Sequence, residues 1–170
     1  MKSIIALLLF AVMLTTGKAE TIAEPTGRFS YNLTGDWALK HVPGVKFGVP
    51  MGRKADGNPG NIMFDLLPKS PTLAESEITI LKGVKEKLTS MGCSNFQILN
   101  QSGYETAAGM IGAQAVVSVT RPDGQVSRMI YFFFQRNDGY GVIAICSVAG
   151  EGTSYDDDFE AIMTSFKFLQ

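Results

Sequence analysis

Two tripeptides constrain this chain more than any other feature. Pro122-Asp123-Gly124 and Asn137-Asp138-Gly139 each stand between two apolar runs, with the residue chemistry of tight hairpin turns. They predict strands over Val126–Gln135 and Tyr140–Val148, preceded by strands over Asn95–Asn100 and Tyr104–Thr120, in an antiparallel meander. Gly109 and Gly112 are expected to break or bulge the longest of these. Met129–Phe134 and Val142–Cys146 are apolar on both faces, so those strands belong at the centre of the sheet with cover on each side. Phe132, Phe133 and Phe134 read as core rather than a ligand platform, because consecutive strand residues point to opposite faces.

The remaining elements follow from periodicity. Phe29, Tyr31 and Leu33 alternate with Arg28, Ser30 and Asn32, the pattern of a half-buried strand. Gly35-Asp36 turns the chain into a short strand from Trp37 through His41. Pro43 to Gly60 is rich in Gly and Pro and reads as a long loop, or a loose hairpin around Val45 to Val49, before a strand over Asn61–Leu67. Thr72 and Glu75 have capping-box spacing at the start of a helix. Its apolar positions are Leu73, Ile80, Leu81, Val84, Leu88 and Met91, and Gly92 suits the residue beyond its end. A last helix, capped by Thr153 or Ser154, carries Tyr155, Phe159, Ile162, Met163 and Phe166 as its buried stripe, and Phe166–Leu169 closes the chain as an edge strand.

The N-terminus reads as a secretory signal. Lys2 precedes an apolar run from Ile4 to Leu14, and Gly17 and Ala19 supply small residues for cleavage after Ala19. The run is too short to span a bilayer, which takes about 20 apolar residues. No second run reaches that length, so the mature chain is expected to have no membrane span, and no Cys lies at the cleavage site to carry a lipid. The division expected is residues 1–19 as signal peptide, 20–27 as a flexible lead, and 28–170 as a single domain. The protein is expected to be exported, periplasmic or secreted. Removal of residues 1–19 leaves 151 of 170 residues, and because Lys2 and Lys18 go with it, 13 of the 15 basic side chains against all 16 acids. Such a balance gives no basis for binding nucleic acid. A chain of this size buries enough surface to fold without disulfide staples.

The order of these elements resembles the PsbP/Mog1-like fold family, which includes bacterial exported proteins. Arg28-Phe29-Ser30-Tyr31 and Gly35-Asp36-Trp37 open the domain, a helix and a meander follow, and Phe159, Ile162 and Ser165-Phe166-Lys167-Phe168 close it. Thr34 stands where the commonest version has Pro. The resemblance implies an α+β fold, an antiparallel sheet meander sandwiched by helices. It also implies a protein that binds partners, and it brings no catalytic residue and no cofactor.

The residues themselves agree with a non-catalytic reading. His41 is the only His, so a Ser or Cys triad would have to be built on it, and no Gly-x-Ser-x-Gly elbow is present. Asp156-Asp157-Asp158 lacks the spacing of a calcium loop and is read as first-turn acids on a helix, so no metal is assigned. Asn32-Leu33-Thr34 and Asn100-Gln101-Ser102 match glycosylation acceptors, which matter only in a eukaryotic secretory pathway. An oxidising compartment and an even count favour a Cys93–Cys146 disulfide. The meander opposes it, because three strand spacings of about 4.8 Å exceed the reach of a disulfide. The function expected is that of an exported accessory protein binding another envelope or secreted protein. Its contact surface is placed on the 43–60 loop, through Lys46, Arg53 and Lys54, or on an exposed sheet edge. The alternative is a small-ligand or metal carrier with a pocket between sheet and helix.

Overall fold

The computed structural model describes residues 19–54, 59–148, 150 and 152–170. The signal segment expected over residues 1–19 lies outside them but for Ala19. The strands are β1 (Glu20–Glu24), β2 (Phe29–Leu33), β3 (Trp37–Lys40), β4 (Val49–Arg53) and β5 (Pro59–Leu67), followed by helix α1 (Leu73–Ser90). Then come β6 (Ser94–Glu105), β7 (Ile111–Thr120), β8 (Val126–Gln135), β9 (Gly141–Val148), helix α2 (Asp156–Thr164) and β10 (Lys167–Phe168). All strand pairs are antiparallel. A seven-stranded sheet has the order β3-β4-β5-β9-β8-β7-β6, and a three-stranded sheet the order β1-β2-β10. The meander is therefore present, with β8 and β9 inside the sheet.

Each face of the large sheet has its own core. On one, Phe132, Phe134, Ala144 and Cys146 pack against Phe29 and Tyr31 of the small sheet and Phe159, Ile162 and Met163 of α2. Phe134 and Phe166 stack there with ring centroids 4.2 Å apart. On the other, Phe133, Tyr131, Val117 and Ile143 pack against Leu81 of α1. Phe132, Phe133 and Phe134 are all 0% exposed, which two covers on one sheet require. The small sheet shares its face with α2, so helices alone do not make that cover.

The ends of α1 follow the sequence. Thr72 caps it, its Oγ1 accepting from the Glu75 N–H at 3.2 Å. At the far end Gly92 has φ +81. Its N–H donates to Thr89 O and the Cys93 N–H to Leu88 O, both at 3.0 Å, the two bonds of a Schellman motif.

Four expectations are corrected. Residues 20–27 are not a flexible lead: Glu20–Glu24 pairs along β2 from Leu33 to Phe29, burying Ile22, and residues 25–28 form the turn between them. Within the 43–60 segment Val49–Arg53 is not loop but strand, β4, paired with β3 on one side and β5 on the other; of the two readings the hairpin is the nearer, with its turn before Val49. Its glycines make room for packing: a Cβ at Gly48 would lie 2.6 Å from Leu39 Cδ1, and one at Gly52 2.6 Å from Trp37 Cε2. Tyr104–Thr120 is broken at Gly109 as expected, but fully, into the end of β6, a hairpin loop and β7, with Gly109 at φ +74 in the loop, the Thr106 N–H donating to Met110 O at 3.0 Å, and Gly112 paired within β7 rather than breaking it. Neither Thr153 nor Ser154 caps α2; Tyr155 is its N-cap residue, and no side chain bonds the cap.

Candidate functional site

The basic residues of the 43–60 segment do not form one surface. Lys46 is exposed just before β4, its Nζ 5.4 Å from the Phe47 ring centroid, and Arg53 closes the strand. Lys54 is engaged within the molecule. Its ammonium pairs with Asp158 at 2.9 Å and donates to Ser154 O, and its N–H donates to the Tyr155 hydroxyl at 2.7 Å. His41 is exposed at the end of β3. Among the described residues, no group of three His, Cys, Asp or Glu side chains is placed to hold a metal. Two of the first-turn acids of α2 pair within the molecule, Asp156 with Arg128 of β8 at 2.6 Å and Asp158 with Lys54.

Cys93 and Cys146 are free thiols. They lie on opposite faces of the large sheet. Cys146 is fully buried against the small sheet and α2, and burial holds its thiol well above the ordinary range. Cys93 lines a groove on the α1 side with Met129 and Ser147.

The open edges of the sheets differ in a way that ranks them. An edge strand is a row of free backbone donors and acceptors, normally blunted by shortness, charge, proline or bulges. β10 has two residues, one of them Lys167. β3 has four and ends on Lys40. β1 begins and ends on Glu20 and Glu24. β6 runs for 12 residues without Lys, Arg or Pro, and its one charge is Glu105 at its last position. Its first half is guarded by two register shifts, between Ser94 and Gln97 and between Ile98 and Asn100. From Asn100 to Glu105 the pairing to β7 is regular, Asn100 to Val116 through Glu105 to Ile111, and the outer side of this stretch is open among the described residues.

A hollow of about 440 Å³ adjoins this edge between α1 and β6. Ile78, Leu81, Phe96 and Ile98 form its apolar walls, with Lys82 and Lys85 at the rim. Ile78 is 67% exposed and Ile98 43%, large apolar side chains left uncovered beside unpaired backbone. Gln101 is fixed there by donating from Nε2 to Glu77 Oε1 at 3.0 Å. Main-chain pairing on an edge with a side-chain pocket beside it is the chemistry of strand addition. It needs no nucleophile and no titrating group. Sequence periodicity leaves the position of β6 open, since it does not say which strand of a meander ends the sheet. The signal within the sequence is the absence of Lys, Arg and Pro from residues 94–105.

The fold is one seen before. The cyanobacterial PsbP (CyanoP) from Synechocystis sp. PCC 6803 is similar with a TM-score of 0.60 at 15% identity, over 94% of this chain and 96% of that one. The Ran-binding protein Mog1p of Saccharomyces cerevisiae gives 0.63 at 12% identity, over 91% and 97%. LpqN of Mycobacterium tuberculosis, described as involved in cell envelope biogenesis, gives 0.60 at 14% identity, over 90% and 91%. No protein-family model matches the sequence, and no curated protein does. The fold is thus the PsbP/Mog1-like one that the sequence resembles.

Proposed function

We propose that this chain, which has the fold of PsbP and Mog1, is an exported, non-catalytic accessory protein that takes an extended segment of another envelope protein along β6. The observation that carries this reading is the stretch Asn100–Tyr104, the longest run of edge strand free of both charge and bulge among the described strands, with Glu105 closing it. Three further points support it. The hollow under the first half of β6, which meets the open stretch at Gln101, offers apolar walls to a partner side chain. One neighbour in fold is a Ran-binding protein, so this fold serves association elsewhere, and another is involved in cell envelope biogenesis. Export rests on Lys2, the apolar run Ile4–Leu14 and the small residues Gly17 and Ala19; among the described residues no helix is long and apolar enough to cross a membrane.

The reading is tested by site-specific photo-crosslinking in the native envelope fraction. A photoreactive residue at Asn100 or Ser102 is expected to trap one discrete protein, whereas one at Ala38 on β3 traps none. Placing Lys at both positions 100 and 102 restores the missing guard and is expected to cut association about tenfold with the melting temperature unchanged. Equal adducts from Ala38, or no adduct from either β6 position, would refute the proposal. Loss of Met1–Ala19 from the mature mass tests export; an intact N-terminus overturns it.

A further inference from the structure

The C-terminal end of α1 gathers three sulfur side chains into one groove of about 460 Å³. Met91 and Cys93 flank Gly92 just past the helix, and Met129 comes from β8 beneath them. We propose that this groove captures the soft cation Cu(I), with Cys93 Sγ as the anionic ligand and the sulfurs of Met91 and Met129 completing the set. This goes beyond the strand-addition reading and uses a separate part of the surface.

Four observations carry it. The Schellman bonds from Gly92 and Cys93 pin the backbone that presents Met91 and Cys93, so two ligands come from a rigid element. Met91 is 61% exposed at the rim, an apolar side chain with no core to fill. Met129 is half-buried, its sulfur accepting only a weak bond from the Tyr131 hydroxyl at 3.5 Å, and its three rotatable bonds let it turn toward a ligand. The walls are Leu88, Val119 and Pro122, and the Arg121 charge at the rim is balanced by Asp123 at 2.9 Å.

Chemistry selects the ion. Thiolate and thioether are soft donors that favour Cu(I), whereas magnesium, calcium and manganese want oxygen. One Cu(I) and one thiolate sum to zero charge, so the complex sits in an apolar groove without an unpaired charge. On binding, the Cys93 S–H bond breaks, its proton goes to solvent, a sulfur–copper bond forms, and copper remains Cu(I) throughout. Cys146 does not compete, being wholly buried on the other face.

The test titrates the reduced full chain, without oxygen, with Cu(I) held by a coloured bicinchoninate competitor, and counts bound metal by native mass spectrometry. One Cu(I) per chain and one released proton are expected. Cys93→Ser is expected to weaken binding by about 100-fold, and Met91→Leu and Met129→Leu by about tenfold each, the Leu variants nearly conserving core volume. Met63→Leu, which changes an exposed methionine outside the groove, is expected to leave affinity unchanged. Three results overturn the proposal: no competition with bicinchoninate, loss in Cys93→Ser with both groove methionines without effect, or an equal loss in Met63→Leu.

Discussion

Gly60 of β5 lies against the ring of Tyr155 so closely that a Cβ built on it would stand 2.8 Å from Tyr155 Cδ1. The ring is buried, and its hydroxyl accepts from Lys54 N–H at 2.7 Å while donating to Gly52 O at 3.3 Å. This one side chain ties the start of α2 to β4 and β5. Gly60→Ala is therefore expected to force the ring off its seat and to cost about 1–3 kcal/mol. Tyr155→Phe keeps the ring and removes the two hydroxyl bonds, for about 1–2 kcal/mol. Urea unfolding checks both; a Gly60→Ala midpoint equal to wild type would show that the ring has room.

Arg128 reaches across from β8 to Asp156 in the first turn of α2, with side chains 17% and 33% exposed. The pair is half sheltered, and the carboxylate also faces the positive end of the helix dipole. Asp156→Asn is expected to destabilise by about 1 kcal/mol, and less in high salt, where charge interactions are screened. Thermal melts at low and high ionic strength measure the difference.

The thiols should separate by reactivity. Cys93 borders open solvent in its groove, while Cys146 is buried and its pKa is pushed up by that burial. Folded protein is expected to take one maleimide, at Cys93, and the second only on unfolding. The same mass measurement reads the disulfide directly: a chain that takes no label until reduced would contradict the two free thiols.

Glu160 on α2 has its carboxyl pKa raised by desolvation, with a bond from the Tyr104 side chain working the other way. The sign follows from proton counting. The folded chain binds more proton here than the unfolded chain over the interval between the ordinary glutamate pKa and the raised one, so stability falls as pH rises through it. Glu160→Gln removes that slope, and its melting temperature relative to wild type is expected to be higher at pH 7 than at pH 4. An identical difference at both pH values would place the effect elsewhere.

How much was legible varies with the kind of signal. The hairpins at Pro122-Asp123-Gly124 and Asn137-Asp138-Gly139 announce themselves because Asp and Gly meet the backbone demands of the turn; Gly124 and Gly139 both have positive φ. The loop through Ala107-Ala108-Gly109 closes the same way, but two alanines disguise it, so that Gly109 reads as a break or bulge within a strand and not as the tip of a hairpin. β4 was concealed for the opposite reason. Gly48 and Gly52 look like loop residues in sequence, yet they are the positions where Leu39 and Trp37 press against the backbone. The candidate edge was legible only as composition, and the sulfur groove not at all, since Met129 is far in sequence from Met91 and Cys93.

The local frame was readable from residue order alone: the meander, the capped helix with Gly92 beyond its end, the buried stripe of α2 and the two-faced apolarity of β8 and β9. These depend on turn chemistry and on side-chain period, which act between near neighbours. The pairing of β1 with β2, the place of β4 between β3 and β5, and the end of the large sheet at β6, with Asn100–Glu105 open, emerge only in the folded molecule. Folding also puts Cys93 and Cys146 on opposite faces. Strand order is a choice among long-range pairings that local pattern leaves nearly equal. It is settled by which faces can be covered at once, with α1 over β6, β7 and β8 on one side and α2 with the small sheet on the other.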